Sequence, residues 1–124
     1  MRGPLFSSKF DKLIVAAAKK FDVDAALISA VYHLANEVGP DKIRVNTVVP
    51  TWMWGPPVEG FVNSTAEAQG VPPEQIIAGI TANMPLAEIP TDGDVADAVV
   101  FFASDRARMI TAQTLMVNAG EEHD

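Results

Sequence analysis

Hydrophobic and polar positions recur with two different periods along this chain, and each period predicts a different element. Apolar residues return at helical spacing from Leu27 to Val38, which is the stripe of an amphipathic helix. Gly39 and Pro40 end this helix, because Gly accepts a left-handed conformation and Pro cannot continue the helical ladder. A β-branched run from Ile43 to Val49 then predicts a strand that Pro50 ends. A helix that leads directly into a strand is half of an α/β unit.

The remaining pattern is mainly helical. An apolar face from Phe10 to Phe21 predicts a first helix, and two short helices are expected between Val58 and Pro90, the second opening at Pro72-Pro73-Glu74. Thr91 or Asp92 is expected to cap a last helix whose apolar stripe runs from Val95 to Ala103. Its other faces carry few polar residues, so we expect this helix to be buried on two sides.

A second strand is predicted from Thr114 to Val117. The acidic residues from Glu121 to Asp124 form a tail that we expect to fray.

Composition narrows the class of protein. The chain has 124 residues, of which 48% are hydrophobic and 20% charged, and this predicts one globular domain over residues 1–124. A net charge of -7 argues against a nucleic-acid or anionic-membrane surface, since either needs clustered Lys and Arg. No apolar run approaches the roughly 18 residues of a membrane span. The chain contains no Cys, which excludes disulfides and Cys-based zinc sites and favours a cytoplasmic location.

No metal site is predicted from the sequence. His33 has no second His and no carboxylate at ligand spacing, so we interpret it as a surface or interface residue.

Two stretches resemble a known family. The run from Leu34 to Pro50 (Leu-Ala-Asn-Glu-Val-Gly-Pro-Asp-Lys-Ile-Arg-Val-Asn-Thr-Val-Val-Pro) is similar to the segment that follows the active site in short-chain dehydrogenases/reductases. The runs from Asp94 to Asp105 and from Ile110 to Gly120 resemble that family's last helix and last strand. Ala112 and Ala119 stand where the family usually has Gly, which matters only if these positions need positive φ.

The resemblance covers about residues 24–120 and implies an α/β fold. We expect a helix-rich, partial Rossmann-like unit equivalent to the C-terminal half of a doubly wound sheet, with about two parallel strands and five or so helices. Residues 1–23 form a divergent N-terminal helix with no counterpart in the family. The helices from Leu27 to Val38 and from Val95 to Ala103 correspond to the family's subunit contacts, so a homo-oligomer is expected, with no nucleic-acid or membrane partner.

The family's catalytic Tyr-x-x-x-Lys motif is replaced in this chain. Alignment on the small residues after Asp24 places Lys20 at the Tyr position and Asp24 at the Lys position. Proton transfer in the family needs a phenol beside an ammonium, and neither replacement supplies that chemistry. In the family the catalytic Ser precedes the catalytic Tyr by about the distance that separates Ser7 from Lys20. Ser7 is therefore either a weak candidate for a catalytic Ser or a residue that caps the first helix.

The segment after Pro50 carries the remaining site candidates. By resemblance Pro50, Thr51 and Trp52 correspond to the nicotinamide end of the cofactor site, although Thr51 replaces the family's Gly. An apolar cluster resembles a substrate loop, and it either lines a vestigial pocket or covers the edge of a core. Its candidate pocket residues are Trp52, Met53, Trp54, Phe61 and Met84.

Three functions follow as hypotheses. In the first, the chain is a truncated and divergent member of the family that has no redox activity alone and acts by self-association. No cofactor is expected for the isolated chain in that case, and NAD(P) is implied by family resemblance only, because the family's Gly-rich phosphate loop is missing. In the second, it is an oxidoreductase subunit that takes its nucleotide-binding half from another polypeptide. In the third, it is a small protein that binds an apolar ligand.

Overall fold

A computed structural model describes residues 25–121, and within them the chain forms four α-helices and two β-strands. The predicted helix over Phe10 to Phe21, with Ser7, Lys20 and Asp24, lies outside the described residues. The helices are α1 (Ala25–Val38), α2 (Pro56–Gln69), α3 (Pro73–Thr81) and α4 (Asp92–Ala103), the strands are β1 (Thr47–Val49) and β2 (Thr114–Met116), and 3₁₀ turns occupy Gly39–Asp41 and Asp105–Ala107.

The two strands pair in parallel as a two-stranded sheet, so the predicted α/β class with two parallel strands is confirmed. The Thr47 amide donates to the Gln113 carbonyl at 2.8 Å, and the Val117 amide donates to the Val49 carbonyl at 3.0 Å. β1 begins four residues later than predicted, because the Val45 amide donates to the Thr111 hydroxyl (3.0 Å) rather than to a neighbouring strand. Local side-chain bonds of this kind compete with the ladder.

The start of α4 follows the capping chemistry expected from the sequence, whereas the end of α1 does not. Gly39 and Pro40 lie in a 3₁₀ turn, and Lys42 rather than Gly39 takes the left-handed conformation (φ 62°). The Thr91 hydroxyl accepts from the Asp94 amide (3.1 Å) and the Asp94 carboxylate accepts from the Thr91 amide (2.8 Å), a reciprocal capping box that opens α4. α2 is 14 residues long rather than short, and Gly70 closes it at φ 65°. The Val71 amide donates to the Ala66 carbonyl at 3.0 Å, which is the six-to-one bond of a Schellman motif.

The described chain divides into two compact units, each assembled from separate segments. The first unit contains residues 25–47 and 102–115, and the second contains residues 48–101 and 116–121. Buried side chains in the first unit are Ser29, Val31, Ala35 and Ala107, and those in the second unit include Val62, Ala66, Met84, Ile89 and Asn118.

Large apolar side chains remain exposed on α1 and α4. Leu27 and Leu34 of α1 are 44% and 48% exposed, and Val99, Val100 and Phe101 of α4 are 51%, 65% and 41% exposed. No residue of α4 is buried. Within residues 25–121 the expectation that this helix is buried on two sides is therefore not met, since Val95, Ala98 and Phe102 are only half-buried and its other residues are exposed.

Two strained alanines flank β2 in a left-handed backbone conformation, which L-residues rarely take and which Lys42 and Ala87 also adopt. Ala112, before β2, has φ 61°, and Ala119, after β2, has φ 56°. The resembled family usually has Gly at these two positions. Because both positions have positive φ, the replacement of Gly by Ala introduces backbone strain. A Cβ in the left-handed region costs roughly 1–2 kcal/mol per residue.

No helix among residues 25–121 is both long enough and apolar enough to cross a lipid bilayer.

Candidate functional site

A groove in the second unit contains two of the residues that the sequence singled out, Trp52 and Phe61. Its cavity measures about 520 Å³, which is within the range of small-molecule sites. Side chains of α2 and α3 form its walls, and residues just after each strand complete it. The lining residues are Trp52, Phe61, Thr65, Gln69, Gln75, Ile76, Gly79, Ile80, Asn83 and Glu121.

Two aromatic rings form the apolar end of this groove. Trp52 follows β1, and Phe61 lies one turn into α2. Their ring centroids are 5.8 Å apart with planes inclined by 42°, within the range where aromatic pairs attract beyond simple burial. Phe61 is 48% exposed and Trp52 is half-buried, so a ligand can reach both rings.

Among the described residues that line the groove, Glu121 alone has a charged side chain. Its carboxylate accepts a hydrogen bond from the Thr51 hydroxyl. Asn118 fixes the backbone at the same place, since its side-chain amide donates to the Glu121 carbonyl (3.1 Å) and its own carbonyl accepts from the Glu121 amide (3.0 Å). The expectation that Glu121 lies in a frayed tail is wrong for this residue, because its side chain and its backbone are both hydrogen-bonded. The tight turn at Asn-Ala-Gly, a typical turn signal, could have located it.

The other predicted pocket residues do not line the groove. Met84 is 3% exposed and belongs to the core of the second unit, whereas Met53 is 39% exposed. The Trp54 amide donates to the Pro90 carbonyl at 2.7 Å, and Trp54 forms an isolated parallel bridge with Thr91. Pro50 is half-buried directly after β1. The predicted cofactor and substrate roles of these residues stay predictions.

The two units differ sharply in charge. The described part of the second unit contains eight carboxylates and no Lys, Arg or His. All five basic or His side chains among residues 25–121 belong to the first unit. They are His33, Lys42, Arg44, Arg106 and Arg108.

The polar residues of the Ile-Arg-Val-Asn stretch bind backbone in the first unit. The Arg44 guanidinium donates to the carbonyls of Phe102 and Ser104, the latter at 3.3 Å, and so satisfies carbonyls at the end of α4. The Asn46 amide donates to the Ile110 carbonyl (2.9 Å), and its oxygen accepts from the Gln113 amide (3.1 Å). These side chains hold the approach to β2 and are not part of the groove.

A second, smaller cavity of about 330 Å³ lies beside the start of α4. Hydrogen bonds from the Thr91 amide and hydroxyl hold the pKa of Asp94, one of its two carboxylates, below the usual value of 3.8. The Thr91 hydroxyl oxygen and one Asp94 carboxylate oxygen are thus both hydrogen-bonded at the start of α4. The lining residues are Leu86, Glu88, Pro90, Asp94, Val117 and Ala119. Among residues 25–121, no three His, Asp or Glu side chains converge as a metal site would require.

Solved structures share this fold. A short chain dehydrogenase family protein from Francisella tularensis superposes with a TM-score of 0.70 at 23% identity, over 77% of this chain and 40% of that protein. A 3-oxoacyl-(acyl-carrier protein) reductase from Brucella melitensis with bound NAD superposes with a TM-score of 0.61 at 27% identity, over 81% of this chain and 32% of that reductase. The described chain is therefore the C-terminal half of a doubly wound, Rossmann-like sheet.

The described residues of the second unit do not fit the phosphates of a dinucleotide. Proteins hold a pyrophosphate with amides at a helix N-terminus or with basic side chains. Pro56 and Pro57 open α2, and Pro73 follows Pro72 at the start of α3, so each helix start has fewer amide donors than usual. The start of α4 is already occupied by the Asp94 carboxylate. With no basic side chain in the described unit, an anionic cofactor finds no counter-charge there.

Sequence relatives agree with the structural ones. The family model described as enoyl-(acyl carrier protein) reductase matches residues 15–122. The 3-oxoacyl-(acyl-carrier-protein) reductase of Escherichia coli is 38% identical over 105 residues, which are 85% of this chain and 36% of that enzyme. An uncharacterized oxidoreductase of Methylorubrum extorquens is 32% identical over 110 residues, 89% of this chain and 41% of that protein. The chain thus spans about two fifths of the length of such relatives. It belongs to the short-chain dehydrogenase/reductase family of oxidoreductases.

Proposed function

We propose that this chain is a divergent short-chain dehydrogenase/reductase unit that has no redox activity alone and acts through self-association. The loss of activity rests on Lys20 and Asp24, which stand at the family's catalytic Tyr and Lys positions. Neither a Lys nor an Asp side chain is a phenol whose pKa is lowered by an ammonium, so the pair that transfers the proton in the family is absent. The poor fit of the second unit to phosphates supports the same conclusion.

Exposed apolar surface on α4 carries the self-association. Val99 and Val100 are 51% and 65% exposed, and Phe101 beside them is 41% exposed. A contiguous apolar face of this kind is typical of an interaction site. The carboxylates of α4 lie in its first half, at Asp92, Asp94 and Asp97.

A second copy of this chain suits that face. In an isologous pair the same surface meets itself. If the two α4 helices pack antiparallel through their apolar C-terminal halves, each set of carboxylates lies at the far end from the other, so pairing brings no like charges together. The exposed Leu27 and Leu34 of α1 offer a second apolar contact for the same assembly.

The solution mass tests this proposal. We expect light scattering after size exclusion to give a dimer or tetramer whose mass and melting temperature do not respond to NAD(H) or NADP(H). The double variant Val99→Asp with Val100→Asp should give a monomer that keeps its helical circular dichroism. Ala68→Asp on exposed α2 is the matched control and should leave the mass unchanged. A monomeric parent chain, or saturable dinucleotide binding, contradicts the proposal.

The groove and the sheet favour a second candidate function. Thr47 and Val49 face β2, and within the described residues no strand pairs with the other edge of β1. An oxidoreductase subunit that receives its nucleotide-binding half from another polypeptide would cover this edge and use the groove for substrate. Affinity purification that returns only the chain itself counts against it. A captured protein supports it only if the reconstituted mixture binds NAD(H) or NADP(H).

A third candidate, a small-ligand binding protein, uses the groove without any partner. The Trp52 and Phe61 rings and the surrounding amides supply an apolar surface with hydrogen-bonding groups around it, as ligand sites do. Tryptophan fluorescence of the purified chain should then respond saturably to a small aromatic ligand. The Trp52→Phe variant should lose this response, and Trp54→Phe should keep it.

A further inference from the structure

We propose that the groove selects organic amines, meaning ligands with an aromatic or aliphatic body and a protonated nitrogen, and rejects anionic ligands. This inference rests on the proposed role of the groove as a ligand site. The observations that carry it are the chemistry of the lining and the one-sided charge of the unit that contains it.

The lining offers every group that an ammonium ligand uses. Trp52 and Phe61 contribute aromatic rings to the lining, and the faces of such rings attract cations through the ring quadrupole. Glu121 provides one carboxylate, held in place by the Thr51 hydroxyl. Amide oxygens accept hydrogen bonds from N–H groups without adding positive charge. The amide side chains in the lining are Gln69, Gln75 and Asn83.

Positively charged side chains, which would attract an anion, are missing from the described part of the same surface. No Lys, Arg or His lies in the described part of the second unit. The prolines that open α2 and α3 remove amides from the helix starts, where anions usually bind. A carboxylate, phosphate or sulfate in the groove would therefore lose water and gain no counter-charge.

The field of the whole unit acts in the same direction. Eight carboxylates with no balancing cation give the described second unit a negative potential, and clefts in such a surface concentrate cations. The effect should weaken as salt rises, because the Debye length falls from about 30 Å at 0.01 M to about 8 Å at 0.15 M. Salt dependence thus separates this field from the short-range contacts of the rings.

This selectivity separates the chain from the relatives named for acyl-carrier substrates. A substrate delivered on an anionic carrier or phosphate-bearing tether meets repulsion on this surface, whereas a free amine is attracted. The reaction or binding event served by this groove therefore involves a small, free, positively charged compound.

The test compares three probes that share a phenyl group and differ in charge, namely 2-phenylethylamine, 2-phenylethanol and phenylacetate. Each is titrated into the full ¹⁵N-labelled chain at low salt while backbone amide shifts are followed. We expect the amine to bind about tenfold more tightly than phenylacetate, with the alcohol between them. The shifts should map to Thr65, Gln69 and Gly79 of the groove, and 0.5 M NaCl should reduce the preference.

Variants locate the charge that discriminates. Glu121→Gln should weaken amine binding several-fold and leave 2-phenylethanol unchanged. Glu67→Gln, an exposed carboxylate of α2 outside the groove lining, is the matched control and should change amine binding far less. The comparison of the three probes on the parent chain does not depend on either variant.

The outcomes distinguish the two levels of the proposal. If phenylacetate binds as tightly as the amine while all three probes shift groove residues, the charge selection is overturned and the ligand site stands. If none of the probes shifts groove residues, the ligand site falls and the amine selection falls with it.

Discussion

The two units of this protein use their polar side chains in opposite ways. In the first unit, the side chains of Arg44 and Asn46 form hydrogen bonds with backbone carbonyls and amides near the end of α4 and the start of β2. In the second, Gln69 and Gln75 line an open groove, and the charges are all negative. The Ile-Arg-Val-Asn stretch, which carries part of the family resemblance, lies in the first unit. Resemblance of this kind therefore reports on the framework, whereas the chemistry of the groove has to be read from its own residues.

The largest effect is expected in the second unit, from Gly120→Ala. Gly120 has φ +83°, and a Cβ there would lie 3.0 Å from the Pro85 ring. Left-handed strain of about 1–2 kcal/mol and overpacking of about 1–3 kcal/mol together predict a loss of about 3 kcal/mol in the free energy of unfolding. Urea denaturation measures it.

Gly70→Ala is the matched control for this prediction. Gly70 also has positive φ (+65°), but nothing lies within 4 Å of its added Cβ. It should therefore lose only about 1 kcal/mol. Equal losses at the two glycines would show that the contact with Pro85 contributes nothing.

Arg44→Ala probes the first unit and should cost about 2 kcal/mol, the value of hydrogen bonds from a charged donor. The substitution leaves the carbonyls of Phe102 and Ser104 without this donor at the end of α4. Exposed Arg106, for which no such contact is seen, provides the control Arg106→Ala. If the urea midpoints fall equally in both variants, the hydrogen bonds of the Arg44 guanidinium do not stabilise the first unit.

The sequence allowed much of the fold to be predicted, because local rules govern it. Helical spacing located α1, the expected cap at Thr91 or Asp92 located the start of α4, and the β-branched run located β1 to within four residues at its start. The predicted start of β1 was too early, since Asn46 and the Val45 amide bond to residues more than sixty positions away. No local pattern carries that information.

Only some of the groove residues could be predicted, because others depend on contacts between residues that are far apart in the sequence. Trp52 and Phe61 stood out as large apolar residues beside prolines. Glu121 was missed because its place depends on the Thr51 hydroxyl, 70 residues earlier in the chain. Met84 was assigned to the pocket by its chemistry, yet burial places it in the core. Hydrophobicity alone does not distinguish a core side chain from a pocket side chain.

A smaller effect, with opposite sign, is expected at the two strained alanines. Ala112 in the first unit and Ala119 in the second have φ 61° and 56°, so Gly at either position relieves strain. Relief exceeds the added entropy of the unfolded chain, and each variant should gain up to about 1 kcal/mol. Thermal unfolding checks this. The control Ala68→Gly, in the exposed interior of α2, should instead lose about 1 kcal/mol. A loss in all three variants would refute strain at these turns.

The smallest effect concerns acid stability and the capping box of α4. The amide and hydroxyl of Thr91 lower the pKa of Asp94 below 3.8 in the folded chain. A carboxyl with a lowered folded pKa stabilises the protein above its unfolded pKa, and this contribution disappears as pH falls through the folded value. Asp94→Asn should therefore be less stable than the parent chain at pH 7, with a difference that narrows below about pH 4. Urea midpoints at pH 7 and pH 3 measure it, with Asp97→Asn on the same helix as the control. A gap between Asp94→Asn and the parent chain that stays constant over this range would assign the capping effect to side-chain shape rather than to charge.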